Sequence, residues 1–220
     1  MISLLFIPCG DADKFAAQVK IIRETVDYAY ELVVALIETD PESLRLEEVC
    51  VAEKARYLVL PDFGYTTIVN ILAARARGEY VVYVPPNMEI EEEGWGKEAV
   101  SQLQFPDKIC GGILNKGTDY SHCSGLIMPL KTMHILGYYS MPLFETMVFG
   151  MRWTASVLTD LERFVTMDVN IRHVPIAKSS YYTQDNDLFN VTRQGRQLAY
   201  TKLLAFTEEE DDEGNPISNR

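Results

Sequence analysis

The chain has 220 residues, 47% of them hydrophobic, which is ample for one well-cored domain. It contains no apolar run of about 18 residues, so the sequence predicts no transmembrane helix. A formal charge of −12 argues against a broad nucleic-acid-binding face, although six consecutive acids from Glu208 to Glu213 carry part of it.

The N-terminal run MISLLFIPCGDADK starts apolar, lacks a basic segment, and meets Asp11 and Asp13 at once. This reads as a first strand, Ser3 to Pro8, and not as a signal peptide. Lys14 to Tyr30 places Phe15, Val19, Ile22, Val26 and Ala29 at helical spacing. Leu32 to Ile37 is a second buried strand ending in Glu38-Thr39-Asp40. Pro41 to Ala55 reads as a helix and Tyr57 to Leu60 as a third strand. Pro61-Asp62-Phe63-Gly64 is a turn leading into a small-residue helix (Ile71, Leu72, Ala73, Ala74, Ala76), which Gly78 is expected to stop by taking positive φ. Tyr80 to Val84 is an almost wholly apolar strand that Pro85 and Pro86 end. Asn87 and Glu89 follow, then an acidic loop and Trp95. Strands alternating with helices predict βαβ units and a mainly parallel sheet flanked by helices, with ligands at the strands' carboxyl ends.

Further on, Lys97 to Gln104 reads as a helix, Ile109 to Leu114 as a strand and Asn115 to His122 as a polar loop. Ser124 to Met128 is expected as a strand, Pro129 to Leu136 as a short helix, and Gly137-Tyr138-Tyr139 as a turn. Lys178 to Gln197 reads as a loop-rich extension, and Leu198 to Phe206 as a last short helix or strand. The four cysteines (Cys9, Cys50, Cys110, Cys123) form no C-x-x-C pair. Scattered in this way, they suit small buried residues in a reducing, cytoplasmic setting.

The order helix, Ala76-Arg77-Gly78-Glu79-Tyr80, apolar strand, short polar motif, then Gly94-Trp95 resembles the heart of the GT-A glycosyltransferases, particularly family 2. Phe63-Gly64-Tyr65 and Asn70 sit in matching places. So do Thr159-Asp160-Leu161-Glu162-Arg163, read as opening a helix, and Asn170-Ile171-Arg172-His173-Val174-Pro175. The resemblance implies a single Rossmann-like α/β domain over 1–206, and the acidic composition of 207–220 predicts a disordered, solvated tail. It also implies a nucleotide-sugar donor, a hydroxyl acceptor (glycan, lipid, protein or modified nucleic-acid base) and a divalent cation, Mn²⁺ or Mg²⁺. The family's Asp-x-Asp motif is replaced by Pro85-Pro86-Asn87 or, one step on, Asn87-Met88-Glu89. By the same resemblance Asp160 is the general base. Pro8, Cys9, Glu38 (or Asp40), Asp62, Arg75 and Asn87 would hold the donor nucleotide, and Asn87, Glu89 and His173 the cation.

Plainer roles stand beside these. Asp160 or Thr159 suits a helix N-cap, Asp62 a turn, His173 a structural hydrogen bond and Trp95 either a sugar or the core. Three other functions stay open. One is a nucleotide-binding relative without transferase activity, and another is an interaction module using Tyr138, Tyr139, Trp153 and the tail. A nucleotidyltransferase ranks lower, because only Cys9-Gly10-Asp11 occupies the place of a phosphate loop.

Overall fold

The computed structural model describes residues 1–8, 10–114, 125–173 and 182–207, together with the strand residues 209–210 and 216–217. Its centre is a seven-stranded sheet built from β1 (Ile2–Phe6), β2 (Tyr30–Ile37), β3 (Arg56–Leu60), β4 (Tyr80–Tyr83), β6 (Gly111–Leu114), β7 (Leu126–Pro129) and β8 (Phe164–Met167). The strand order is β3-β2-β1-β4-β7-β6-β8. β1 pairs in parallel with β2 and β4, β2 with β3, and β6 with β8, whereas β7 runs antiparallel to β4 and β6. Six strands therefore share one direction and one carboxyl edge. A separate ribbon pairs β5 (Met88–Ile90) antiparallel to β9 (Ile171–His173), and β10 (Glu209–Glu210) pairs with β11 (Pro216–Ile217).

The apolar strands are covered on both faces, as their unbroken hydrophobic runs require. Ile2, Leu4 and Phe6 point to one face with Leu32, Val34 and Leu36. There they meet Phe15, Val19 and Ile22 of α1 (Ala12–Thr25), Leu46 and Cys50 of α2 (Ser43–Ala52), and Trp95 and Ala99 of α4 (Trp95–Gln102). Phe6 and Phe15 pack edge to face at 5.5 Å. Leu5, Ile7, Val33 and Ala35 point the other way. They meet Ile68, Val69 and Leu72 of α3 (Tyr65–Arg75), Met133 of α5 (Leu130–Leu136), and Met147, Met151 and Ala155 of α6 (Met147–Asp160). Each Val, Leu, Ile, Phe or Met among them contributes about 1.5–3 kcal/mol on burial.

Two expected elements differ. The polar stretch read as a loop-rich extension forms two helices, α7 (Tyr182–Val191) and α8 (Arg193–Leu204). Leu188, Phe189, Tyr200 and Leu203 dock them on Phe149, Trp153 and Leu158 of α6, so tertiary packing overrides the polar composition. Gly78 also plays a different part. α3 ends at Arg75, with Ala76 as C-cap at φ −60° and ψ 145°, and Gly78 is not among the glycines of positive φ. A Cβ at residue 78 would lie 2.6 Å from Ser3 N and 2.8 Å from Met1 O, so close approach of two backbones selects the glycine there.

At the amino edge Glu31 ties three strands together. Its carboxylate accepts from Ser3 Oγ at 2.6 Å, Arg77 N at 2.6 Å and Arg56 Nη1 at 2.8 Å. Burial pushes this carboxyl up, but the hydrogen bonds from Ser3, Arg56 and Arg77 outweigh it and hold the group below its ordinary value. A depressed carboxyl stabilises the fold above its unfolded pKa and loses that contribution as pH falls through the folded value. Glu31→Gln is therefore expected to lower stability at neutral pH by about 1–2 kcal/mol and to flatten its decline below about pH 4.5. Urea unfolding across pH checks this, and two parallel curves would count against it.

Candidate functional site

The loops after β1, β2 and β3 and the amino end of α3 enclose a cleft of about 290 Å³ at the carboxyl edge. Its walls are Ile7, Pro8, Gly10, Ile37, Thr39, Asp40, Pro41, Asp62, Tyr65 and Ile68. Apolar walls with a few oxygens suit a flat heterocycle with polar edges. Asp40 shapes it: one carboxylate oxygen accepts from Gly10 N at 2.8 Å and the other from Glu42 N at 2.9 Å, which fixes the β1–α1 loop against the β2–α2 loop. Gly10 adopts φ +60°, which glycine reaches without strain. Asp62 accepts from Gly64 N at 3.1 Å through one oxygen in a side-chain turn. Tyr65 opens α3 half-exposed, with exposed Phe63 just before it.

Beside this cleft, β4 ends in a tight turn, with Met88 N donating to Pro85 O at 3.0 Å. Gln18 of α1, 5% exposed, clamps the turn by donating to Pro85 O at 2.8 Å and Met88 O at 2.7 Å. Asn87 sits half-buried in the turn. Glu89 is ion-paired with Arg172 of β9, and the same guanidinium lies 3.1 Å from Glu91. His173 stands opposite Met88 in the ribbon, so its backbone neighbours the turn.

The structure thus brings Pro8, Glu38, Asp62, Asn87 and Glu89 to the carboxyl edge. Glu38 is exposed at the end of β2, its amide held by Leu60 O at 2.9 Å. Cys9 lies outside the described residues. Arg75 is not brought there: it ends α3 at the amino edge, where its carbonyl accepts from Arg56 at 3.0 Å. Asp160 is placed on that far edge too. It is the last residue of α6 and leads into the start of β8, so the expected helix opening is a helix end. Thr159 Oγ1 donates back to Ala155 O at 2.9 Å, Glu162 takes φ 60°, and Arg163 N closes on Leu158 O at 2.9 Å. Trp95 is fully buried and packs in the core, so it cannot stack on a sugar. Cys50 and Cys110 are buried free thiols that burial pushes up to about 12, which makes them inert.

Mn²⁺ and Mg²⁺ require hard, mostly anionic oxygens. The prolines supply no side-chain donor, Asn87 supplies an amide, and Glu89 is engaged by Arg172. Among the described residues no group of three His, Cys, Asp or Glu side chains is arranged to hold a metal ion. Asn87 and Glu89 alone therefore do not supply the paired carboxylates such an ion uses, and the His173 side chain lies outside the described residues.

Residues that the sequence did not single out also shape this edge. Gln18 was hidden in a helical run. Asp185 of α7 is 2% exposed and accepts from Thr146 N at 2.7 Å, Thr146 Oγ1 at 2.6 Å and Glu145 N at 3.3 Å. It caps α6 at the end opposite Asp160, and exposed Glu145 stands beside that end.

No protein-family model and no curated protein matches the chain in sequence. Solved structures do match it in shape. The mannosyltransferase PcManGT from Pyrobaculum calidifontis, solved with GDP-Man and Mn²⁺, is 14% identical with a TM-score of 0.65; the match covers 93% of this chain and 73% of that one. S. aureus TarS is 14% identical with a TM-score of 0.59, over 93% of this chain and 43% of TarS. Glucosyl-3-phosphoglycerate synthase from Mycobacterium tuberculosis, solved with Mn²⁺, UDP and phosphoglyceric acid, is 12% identical with a TM-score of 0.60, over 91% of this chain and 78% of that one. The chain has the GT-A glycosyltransferase fold. Among the described residues no helix is long and apolar enough to cross a membrane.

Proposed function

We propose that the chain binds a nucleoside diphosphate sugar at this carboxyl edge and transfers the sugar to a hydroxyl acceptor. The observation that carries this is the cleft lined by Pro8, Asp40, Asp62 and Tyr65, lying beside the Pro85–Met88 turn on a GT-A fold. The nucleobase fits between the apolar walls, and Asp62 keeps one oxygen free of its turn bond for an N–H or hydroxyl of the nucleoside. In the transfer, the acceptor oxygen bonds to the anomeric carbon, the bond to the diphosphate breaks, and a base takes the acceptor proton. Asp160 stands on the wrong edge for that base, and we assign the role to Glu145. On this reading Asp160→Asn leaves turnover unchanged, whereas Glu145→Gln lowers kcat about a hundredfold or more with donor binding retained. The opposite pattern would restore Asp160.

A second reading has an observation of its own: the paired carboxylates of the family motif are replaced by prolines and Asn87, and Glu89 is neutralised by Arg172. This favours a nucleotide-binding protein that does not transfer sugar. Thermal shift of the purified chain with UDP, GDP, CDP and TDP and their sugars, with and without Mn²⁺, and release of nucleoside diphosphate separate the two. A ligand at about 100 times its Kd adds about 2.7 kcal/mol of stability. A shift with turnover supports transfer, and a shift without turnover supports binding alone. A shift that grows with Mn²⁺ would reinstate a cation held by Asn87, Glu89 and His173. The absence of any shift would remove the nucleotide from the proposal.

A further inference from the structure

Arg23, Arg45, Arg56, Arg163 and Arg172 each lie within hydrogen-bonding or ion-pair reach of a carboxylate. Three arginines on the α6–α8 side depart from this. Arg152 of α6 holds its Cζ 4.8 Å from the centre of the Phe189 ring, and Arg196 of α8 holds its Cζ 4.2 Å from the same ring. Arg196 is fixed further by donating to Phe189 O at 2.7 Å. Phe189 is itself wedged against Phe144 and Phe149, at 6.3 and 6.1 Å between ring centres. Arg193 is exposed one turn before Arg196. Among the described residues none of the three forms a salt bridge; Asp160 is the acid whose field reaches Arg196. Burial lowers the Arg196 guanidinium from its ordinary value, and the charges of Arg193 and Arg152 act in the same sense against the pull of Asp160.

Arg152 and Arg196 share the Phe189 ring and Arg193 stands one turn before Arg196; like charges this near repel one another, and an anion placed among them relieves the repulsion. Guanidinium forks match tetrahedral phosphate oxygens, and a cation stacked on a ring is oriented before the ligand arrives. We propose that Arg152, Arg193 and Arg196 form a binding site for a phosphate group, on the half of the sheet away from the nucleotide cleft. The phosphate belongs either to a small soluble compound or to a lipid headgroup.

Titration calorimetry of the full chain with inorganic pyrophosphate, and co-sedimentation with vesicles containing phosphatidic acid against phosphatidylcholine alone, test this and distinguish the sources. Arg193→Gln is the chosen variant, because the side chain is exposed and among the described residues makes no hydrogen bond or salt bridge, so the fold does not depend on it. Pyrophosphate binding that Arg193→Gln weakens at least tenfold supports a soluble phosphate. Binding to phosphatidic acid vesicles alone, lost in the same variant, supports a headgroup. Asp62→Ala, in the nucleotide cleft, should change neither. Absence of binding to both probes, or binding that Asp62→Ala removes while Arg193→Gln does not, overturns the proposal.

Discussion

Gly78→Ala is expected to destabilise the protein by about 3 kcal/mol or more, one of the larger effects open to adding a single methyl group. The reason is purely steric. The new Cβ would lie 2.6 Å from Ser3 N, 2.7 Å from Ser3 Oγ and 2.8 Å from Met1 O, and two of these atoms are backbone of β1 or its lead-in. Backbone at a strand's start cannot rotate aside. Moving it breaks the bonds from Gly78 N to Ser3 Oγ and from Glu79 N to Met1 O that set β4 against β1. Gly64→Ala provides the contrast: nothing lies within 4 Å of the new Cβ, and only the conformational strain of φ +78° with ψ 151°, a region essentially reserved for glycine, of about 1–3 kcal/mol is expected. Chemical denaturation of both variants checks the pair. A Gly78→Ala protein as stable as Gly64→Ala would sink the account, since the steric term would then be absent.

Gly78 also shows what was legible in the chain. That a glycine mattered between α3 and β4 could be read from its place between an apolar helix and an apolar strand. Why it mattered could not, because the clash is with residues 75 and 77 positions away. The same division recurs elsewhere. β1, β2 and β4 announce themselves as unbroken apolar runs, since strands covered on both faces need no polar residue, and from them the parallel sheet and its carboxyl edge followed. Pro8, Glu38, Asp62 and Asn87 could be placed at that edge because they follow β1, β2, β3 and β4 in the chain. Asp160 was misplaced because Thr159-Asp160 has the composition of a cap. The positive φ of Glu162 that makes the segment a helix end has no glycine to signal it. The pairing of Glu89 with Arg172 depends on the β5–β9 register, which three-residue strands cannot declare. The helices α7 and α8 look polar in isolation and become helical by docking Leu188, Phe189 and Leu203 on α6.

Asp185→Ala is the second large effect expected, again about 3 kcal/mol. α6 begins after Thr146, whose own hydroxyl makes no capping bond to the helix. The first N–H groups of a helix have no internal partner, and at a buried end each one left unpaired costs about 1–3 kcal/mol. Asp185 meets this need from another element. Its carboxylate takes Thr146 N and Thr146 Oγ1 on one oxygen and Glu145 N on the other, and a negative charge at a helix amino end gains from the helix dipole as well. Removing it unpairs all three donors at a site 2% exposed and loosens α7 from α6. Asp185→Asn should lose less, about 1–2 kcal/mol, because one amide oxygen still accepts while the charge is gone. If Glu145 is the base, both variants must also lower transfer beyond the loss of folded protein, since the cap sets where Glu145 stands. Urea unfolding with turnover per folded molecule separates these effects. Asp185→Ala within about 0.5 kcal/mol of the parent would show that water caps α6 equally well. Normal turnover in a destabilised Asp185→Ala would detach the cap, and with it Glu145, from the chemistry.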